Sequence, residues 1–134
     1  MPPNLFEQID SWERVVARDE RLRRLVPLED DVSTLSLPAA AEAAALEQSS
    51  FSRYFRQVVG VPFRRWRAAL RVSRALQLLR SSDATVEEIA REVGYADARS
   101  LRRAMKQHLG AGPAAMRAAT DRTAGRSRRH ANDA

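Results

Sequence analysis

The sequence predicts an all-α protein that contains one short helical unit twice. Apolar residues recur every three or four positions along most of the chain, which is the spacing of one helix face, and no segment alternates with the two-residue period of a strand. Segments 36–66 and 85–116 align with each other, with one extra residue in the second inter-helix turn. Each segment holds a short helix, a tight turn, a longer basic helix and then a glycine, which is the outline of a helix-turn-helix.

The N-terminal part of the chain, residues 1–33, is predicted to be a helical extension. Residues 4–26 carry apolar side chains near the helical period. Pro27 then interrupts the pattern because proline has no N–H to donate inside a helix, and residues 27–34 are predicted to form a short polar break. We expect the extension to be an ordinary packing helix, with binding of another protein or of a second copy as the alternative.

The first helix-turn-helix unit is predicted to occupy about residues 37–59. Pro38 suits the first turn of a helix, and Gly60 suits the position just after one. The turn between the two helices holds Ala45, where the second unit has Gly94. A left-handed alanine costs on the order of 1 kcal/mol. We therefore expect the turn of the first unit to differ slightly from that of the second.

A connector helix is predicted over residues 62–80, and the second unit over about 85–109. Thr85 and Glu88 have the spacing of a capping box at the start of the second unit. A last short helix is expected after the glycines that end this unit. Residues 118–134 are polar and basic and are predicted to form a disordered tail.

The net charge of +6 is unevenly distributed along the chain. Residues 51–80 hold eight arginines and no acid, and residues 99–134 hold nine bases and two acids. The stretch before each basic block is acidic. Residues 1–50 hold ten acids and five bases, and residues 81–98 hold five acids and one base. Two segregated basic blocks are typical of a protein that places two positive patches against a polyanion.

Several classes of function are excluded by composition. The chain has no cysteine, which rules out disulfides and thiolate chemistry, and its two histidines lie apart from any carboxylate cluster. The sequence therefore predicts no catalytic residues, no metal site and no cofactor. There is no run of 18 apolar residues and no signal peptide at the start, so we expect a cytoplasmic, nucleoid-associated protein without a membrane partner.

From residue 20 to about residue 117 the sequence resembles the AraC/XylS family of bacterial transcription regulators. The motifs that carry the resemblance are the stretches FSRYFRQVVGVPFRRW, RVSRALQLL, and EIAREVGY followed by SLRRAMKQHLGAGPAAMR. The last pair follows the family pattern of an isoleucine–alanine pair, a glycine with an aromatic residue, a basic helix and a glycine–proline ending. Two such units with their connector are far more specific than one helix-turn-helix alone.

The resemblance implies a DNA-binding domain over residues 34–117, made of two homeodomain-like three-helix units joined by the connector. It implies that the second helix of each unit enters double-stranded DNA. A connector of about 18 residues is roughly 27 Å long, which suits two adjacent major grooves. Larger members carry a separate domain that binds a small molecule or dimerises, and the roughly 35 residues before the first unit are too few for one. We expect no small-molecule effector and favour a monomer.

Exposed polar residues on the second helix of each unit are the candidate DNA contacts. Similar family positions imply that the base-reading residues of the second unit are Ala98, Arg99, Arg102 and Arg103. In the first unit, the outward stripe and the N-terminal end of the helix hold Gln48, Ser49, Ser52 and Arg53. The candidate phosphate contacts are Arg56, Arg64, Arg65 and Lys106. An ordinary solvated basic face is the alternative, but the absence of acids within the stripe favours DNA, since arginine can bond guanine through two hydrogen bonds.

Three further side chains have expected positions that are not DNA contacts. Tyr54 is expected in the core, with a phosphate contact as the alternative. Arg71 is expected to support the boundary between core and surface, and His108 to lie at the surface or that boundary.

The leading hypothesis is a compact, sequence-specific transcription regulator. The alternative is a helical interaction module that binds RNA polymerase or another regulator and has weak or non-specific affinity for DNA. An enzyme is the third class, and the absence of cysteine and of any His/Asp/Glu constellation argues against it.

Overall fold

A computed structural model describes residues 4–119 of the chain, and within that range the structure is helical without a strand, as predicted. The α-helices are α1 (Leu5–Arg18), α2 (Leu37–Ala43), α3 (Gln48–Val59), α4 (Phe63–Ser81), α5 (Val86–Val93), α6 (Ala98–Leu109) and α7 (residues 113–119). Two 3-10 segments, Leu22–Asp30 and Val32–Thr34, connect α1 to α2. Helices α2 and α3 form the first helix-turn-helix unit, α5 and α6 form the second, and α4 is the connector.

Helix α7 is the last short helix that the sequence predicts. It includes residues 118 and 119, where the predicted tail was taken to begin, and the rest of that tail falls outside the described residues. Helix α7 is fastened to the loop before α5, because Arg117 Nη2 donates a hydrogen bond of 2.6 Å to the carbonyl of Ala84.

The prediction of one helix over residues 4–26 was wrong. Helix α1 begins with a reciprocal capping box between Asn4 and Glu7 and ends at Arg18. The carboxylate of Asp19 then accepts hydrogen bonds from the backbone N–H groups of residues 21 and 22, at 3.0 and 2.9 Å. An aspartate that bonds nearby N–H groups in this way competes with helix continuation, so the chain turns there. The break expected over residues 27–34 is also not simply polar, since Val32 is buried.

Two groups of buried side chains lie at the two ends of α4. The first core belongs to the first unit and contains Val16, Leu22, Leu25, Leu35, Ala40, Ala41, Ala44, Phe51, Phe55, Phe63 and Trp66. Its four aromatic rings pack with centroid separations from 5.2 to 5.9 Å. The second core belongs to the second unit and contains Leu5, Val32, Ala69, Val72, Ala75, Leu79, Ile89, Ala90, Val93, Leu101 and Met105. Each unit therefore has its own hydrophobic centre on a shared helix.

The N-terminal helix packs on both cores rather than on one. Helix α1 contributes Val16 to the first core and Leu5 to the second, and Trp12 packs against both. In addition, the indole Nε1 of the fully buried Trp66 donates a hydrogen bond of 3.0 Å to Glu13 on α1. The extension is thus an integral part of the described fold.

A pair of carboxylates lies next to this indole. Burial comes first among the causes that raise the pKa of Glu29 to about 9, followed by its hydrogen bond to Glu13 and the negative charges of Glu13 and Asp30. Glu29 is therefore protonated at neutral pH and donates a hydrogen bond to Glu13, whose carboxylate also accepts from Trp66.

We expect the Glu29→Gln variant to be more stable than the unchanged protein above neutral pH. Folding favours the protonated form of Glu29, so this stabilisation is fully present below pH 4.5 and is lost as the pH rises through about 9. Glutamine offers an N–H donor to Glu13 at every pH. After allowance for solvent screening at a half-buried site, the gain is about 1 kcal/mol at pH 8. Urea unfolding from pH 5 to 9 measures it, with the exposed Glu20→Gln as the control. Parallel pH profiles for the two variants would contradict the assignment.

The turns of the two units have the same backbone conformation, contrary to expectation. Ala45 has a φ of 57°, in the left-handed region, as does Gly94 with a φ of 102°. The hydrogen bonds also correspond: Leu46 N–H donates to the carbonyl of residue 41 at 2.9 Å, and Tyr95 N–H donates to that of residue 90 at 2.8 Å. In each turn an N–H group shortly after the helix bonds back by five positions, and this helix ending requires the left-handed conformation. The backbone of Ala45 is therefore strained, whereas glycine adopts this conformation at no steric cost at position 94.

We expect Ala45→Gly to stabilise the protein. The left-handed alanine costs roughly 1–2 kcal/mol, and the greater freedom of glycine in the unfolded chain offsets about 0.4–1 kcal/mol of that. The net gain should be about 0.5–1 kcal/mol, measured by denaturant unfolding. Ala43→Gly, two residues earlier within α2, is the control and should destabilise by about 1 kcal/mol. Equal losses in both variants would show that the turn is not strained.

Candidate nucleic-acid interface

Helix α3 presents the outward face predicted for the first unit. Gln48 and Ser49 are exposed at its N-terminal end, Ser52 is half-buried, and Arg53 and Arg56 are exposed. The opposite face is apolar and is buried in the first core. The five polar residues are thus at the surface, where contact with a large ligand is possible.

Helices α3 and α6 carry the candidate DNA contacts, and we call them the reading helices. The two helices begin differently. Glu47, the residue before α3, makes no side-chain hydrogen bond to the first turn. Asp97, before α6, accepts a hydrogen bond of 2.8 Å from the N–H of Ser100. This backbone bond, and then the bond to the Ser100 hydroxyl, keeps the pKa of Asp97 below its ordinary value. A negative charge at the start of α3, such as that of Glu47, is unfavourable near phosphates.

Helix α6 separates a basic face from an apolar one. Leu101 and Met105 are fully buried in the second core. The four basic residues of the outward stripe are all exposed, namely Arg99, Arg102, Arg103 and Lys106. One of them has an acidic neighbour on another helix, since Arg102 Nη2 lies 4.0 Å from Glu87 Oε1 on α5. Both members of that pair are solvent-exposed, so the pair is weak and DNA can displace the glutamate.

Ala98, which the family resemblance implies to be a base-reading residue, is almost fully buried. Ala98 is the first residue of α6, and only 6% of its surface is exposed. Little of its methyl group is therefore accessible, whereas the neighbouring arginines are exposed. A small apolar residue at the start of a helix is ambiguous in sequence, because the inward and outward stripes meet at the helix end.

Four arginines converge on one groove at the start of the connector. Arg53 and Arg56 of α3 line it together with Arg64 and Arg67 of α4, around a volume of about 540 Å³. The remaining lining residues are Leu37, Ser52, Pro62 and Phe63, so no acid is present. We call this the arginine groove. It lies beside the open first turn of α4, where backbone N–H groups and the helix dipole also favour an anion.

The groove contains one arginine that sequence analysis missed and excludes one that it included. Arg67 was not among the predicted phosphate contacts, although it stands three residues after Arg64 and so on the same helix face. Its guanidinium carbon lies 5.7 Å from the centroid of the Phe63 ring. Arg65 lies on another flank of α4, in a groove with Asn4, Phe6 and His108. Burial, and then the charge of Arg65, lowers the pKa of half-buried His108.

Tyr54 forms a hydrogen bond with Asp19 within the protein. Its hydroxyl donates to the carboxylate of Asp19, with oxygen distances of 2.8 and 2.9 Å, which leaves the alternative of a phosphate contact unsupported. That hydrogen bond is the main cause that raises the pKa of Tyr54. Desolvation acts to raise the pKa of Asp19, but its bonds from Leu22, Tyr54 and Arg21 outweigh it and lower the pKa.

The connector sets the scale of the interface. Helix α4 has 19 residues, which corresponds to about 28 Å. The first core is built on its beginning and the second core on its later turns. The two reading helices are therefore attached to opposite parts of one rigid rod whose length is comparable to the ~34 Å helical turn of DNA.

Two other classes of site find no support in the described part of the chain. Between residues 4 and 119, no three His, Asp or Glu side chains are grouped in a way that suits a metal ion. None of the helices in this range combines the length and the apolar character that crossing a membrane requires.

Comparison with known proteins agrees with this geometry. A family model described as a helix-turn-helix domain matches residues 40–119. The chain is 38% identical over 78 residues to the HTH-type transcriptional regulator RipA of Corynebacterium glutamicum, covering 58% of this chain and 23% of RipA. It is 31% identical over 86 residues to the arabinose operon regulatory protein of Escherichia coli, covering 64% of this chain and 30% of that protein. The chain thus spans less than a third of the length of these relatives.

Solved structures show the same fold. The DNA-binding domain of AdpA, determined in complex with a target DNA, superposes with a TM-score of 0.68 at 29% identity, covering 75% of this chain and 92% of that one. The C-terminal domain of AraT, a response regulator from Geobacillus stearothermophilus, superposes with a TM-score of 0.65 at 26% identity, covering 72% of this chain and 82% of that one. The family model matches the second unit, the connector and all of the first unit except residues 37–39. The chain therefore belongs to the AraC-type helix-turn-helix family of DNA-binding transcription regulators.

Proposed function

We propose that this chain binds a specific double-stranded DNA sequence by placing α3 and α6 in two adjacent major grooves, and that it regulates transcription from that site in the cytoplasm. The observation that carries the proposal is the repeated arrangement: Arg53 and Arg103 occupy matching places in two copies of one unit, both exposed, on helices attached to one rigid connector. The AdpA domain, which is similar in fold, was determined with its target DNA.

The proposed contacts divide into two groups with different effects. Base edges would be read from α3 by Gln48, Ser49, Ser52 and Arg53, and from α6 by Arg99, Arg102 and Arg103. Phosphates would be held by Arg56, Arg64, Arg67 and Lys106. Phosphate contacts position the protein and make binding dependent on salt, whereas base contacts distinguish sequences. We leave Arg65 and Ala98 out of both groups, because Arg65 lies on another flank of α4 and Ala98 is almost fully buried.

One copy of the chain is proposed to be sufficient for binding. Both reading helices belong to one polypeptide and are joined by a helix of suitable length. A regulator that bound in this way would act on RNA polymerase from its site on DNA. A protein that binds RNA polymerase or another regulator without specific DNA binding is the competing function.

Selection of bound duplexes from a random pool tests the proposal. We expect one sequence to be enriched and to bind ~10³-fold more tightly than a shuffled duplex, with backbone protection in two patches about 10 base pairs apart on one side of the helix. Titrations at two salt concentrations separate the specific from the electrostatic component. Equal binding to every duplex would refute the proposal and favour the interaction module.

A further inference from the structure

The stretch between α1 and α2 is attached to the first helix-turn-helix unit at its beginning. We call residues 19–35 the strap. Asp19 holds the hydroxyl of Tyr54 on α3, and Arg21 Nη1 donates a 3.3 Å hydrogen bond to the carbonyl of Ala44 in the turn of the first unit. Three leucines of the strap, Leu22, Leu25 and Leu35, are fully buried in the first core. The strap is therefore joined to the first unit by hydrogen bonds and by packing in its core.

The strap also reaches the second unit. Val32 is 8% exposed and belongs to the second core. The 3-10 segment Val32–Thr34 packs against both α4 and α5. The carbonyl of Val32 accepts a 3.4 Å hydrogen bond from Nε of Arg71 on the connector. One short stretch of chain thus touches the turn of the first unit, the connector and the second unit.

Arg71 joins this stretch to the turn that precedes α6. Its guanidinium carbon lies 5.5 Å from the centroid of the Tyr95 ring. It also lies flat against Gly94, where a Cβ would be 2.9 Å from the guanidinium carbon. Gly94 and Tyr95 are the first two residues after α5, and α6 begins three residues after Tyr95. The turn that Arg71 contacts therefore leads directly into α6, whose apolar face packs in the second core.

We infer that Arg71 is a positioning residue for DNA recognition: together with the strap it fixes α6 relative to α3, and so sets the spacing of the two base sequences that the chain reads. The inference rests on the proposed function and adds to it a determinant of specificity. Arg71 needs no contact with DNA for this role, since it acts through Gly94, Tyr95 and Val32.

Spacing is a sensitive measure of this geometry. One base pair inserted between the two contacted sequences moves one of them by ~3.4 Å and rotates it by roughly 34°. A rigid pair of reading helices loses the contacts of one helix on such a duplex. If the two reading helices can move relative to each other, both keep their contacts on the altered duplex. The protein then distinguishes poorly between the original and altered spacings.

The test is a titration of the selected duplex and of versions with one base pair added or removed between the two contacted sequences. We expect the unchanged protein to prefer the original spacing by at least about tenfold. Arg71→Met keeps the length of the side chain but removes its charge, its donor and its planar group, and should reduce that preference to less than about threefold. Preferences for individual bases within each contacted sequence should persist. Arg71→Lys retains the charge without the planar stack and should lie between the two.

Arg80→Met is the matched control, because Arg80 is an exposed arginine near the end of the same helix. It removes the same charge and should leave the spacing preference unchanged. If Arg71→Met weakens binding to all spacings by one factor, Arg71 only stabilises the fold and the inference is wrong. If the unchanged protein fails to distinguish the selected duplex from a shuffled one, the proposed function fails instead.

A second measurement follows the geometry without DNA. The chain has no cysteine, so spin labels can be attached at two introduced cysteines, Gln57→Cys on α3 and Gln107→Cys on α6, both at exposed positions. We expect a single narrow distance distribution in the otherwise unchanged protein. The distribution should broaden or shift with Arg71→Met and stay the same with Arg80→Met. An unaltered distribution in Arg71→Met would overturn the inference, whatever the duplex titrations show.

Discussion

Replacing Arg103 with alanine is expected to weaken binding to the selected duplex about 5- to 150-fold, which corresponds to ~1–3 kcal/mol for a lost arginine–guanine pair. Arg103 is exposed in the middle of α6, and the apolar side of that helix is fixed in the second core by Leu101 and Met105. The loss should be concentrated at one or two base pairs, where the variant becomes indifferent to the base. Titration against every single-base change of the duplex measures this.

The matching variant Arg53→Ala should have the same kind of effect about one helical turn of DNA away. Arg64→Ala is the control, because Arg64 lines the arginine groove without standing on a reading helix. It should weaken binding to all sequences alike and reduce the slope of log affinity against log salt by roughly one unit. Indistinguishable losses for Arg103→Ala and Arg64→Ala on every duplex would show that the basic stripe is a non-specific electrostatic patch.

The largest expected loss of stability comes from Trp66→Ala, at about 3–5 kcal/mol in the free energy of unfolding. Trp66 is fully buried among the aromatic rings of the first core. Its removal leaves a cavity there and also deprives Glu13 of the indole donor. Urea unfolding followed by circular dichroism measures the loss.

Trp66→Phe separates the two contributions in this variant. It retains one buried aromatic ring and removes the donor with a small part of the buried volume. We therefore expect a smaller loss of about 1–3 kcal/mol, mainly that of one hydrogen bond to a partly buried charged group. Leaving α1 without this contact should also make its backbone amides exchange faster with solvent. If both variants lost the same stability, the hydrogen bond to Glu13 rather than the packing would dominate.

Helix boundaries from α3 onward could be predicted closely because local chemistry sets them. Glycines in the left-handed conformation end α3, α5 and α6 at Gly60, Gly94 and Gly110, and the side chains of Thr85 and Asp97 cap the starts of α5 and α6. Even there the detail differs from the expected capping box. The Glu88 carboxylate accepts a hydrogen bond from the hydroxyl of Thr85. In a capping box it would accept from the backbone N–H of Thr85.

The N-terminal third was less predictable because long-range contacts decide its structure. Nothing local to Val32 indicates that it is buried against α4 and α5, and nothing local to Ala45 indicates that the turn forces it to a positive φ. In the candidate interface, helical spacing was sufficient to find the exposed stripe of α6. It did not distinguish the flanks of α4: Arg67 lines the arginine groove, whereas Arg65, which we predicted to contact phosphate, lines a different groove.

The position of Leu5 in the second core has a consequence for synthesis on the ribosome. Leu5 is buried with Leu101 and Met105, which lie at the other end of the described chain. The chain emerges at roughly 5–20 residues per second. Several seconds therefore pass between the synthesis of this end of α1 and that of α6, which covers the apolar face of α1. The first unit can form early around Trp66, whereas docking of Leu5 is a late, long-range step. A nascent chain halted before α6 would display that uncovered face, and chaperones and proteases would recognise it as incomplete.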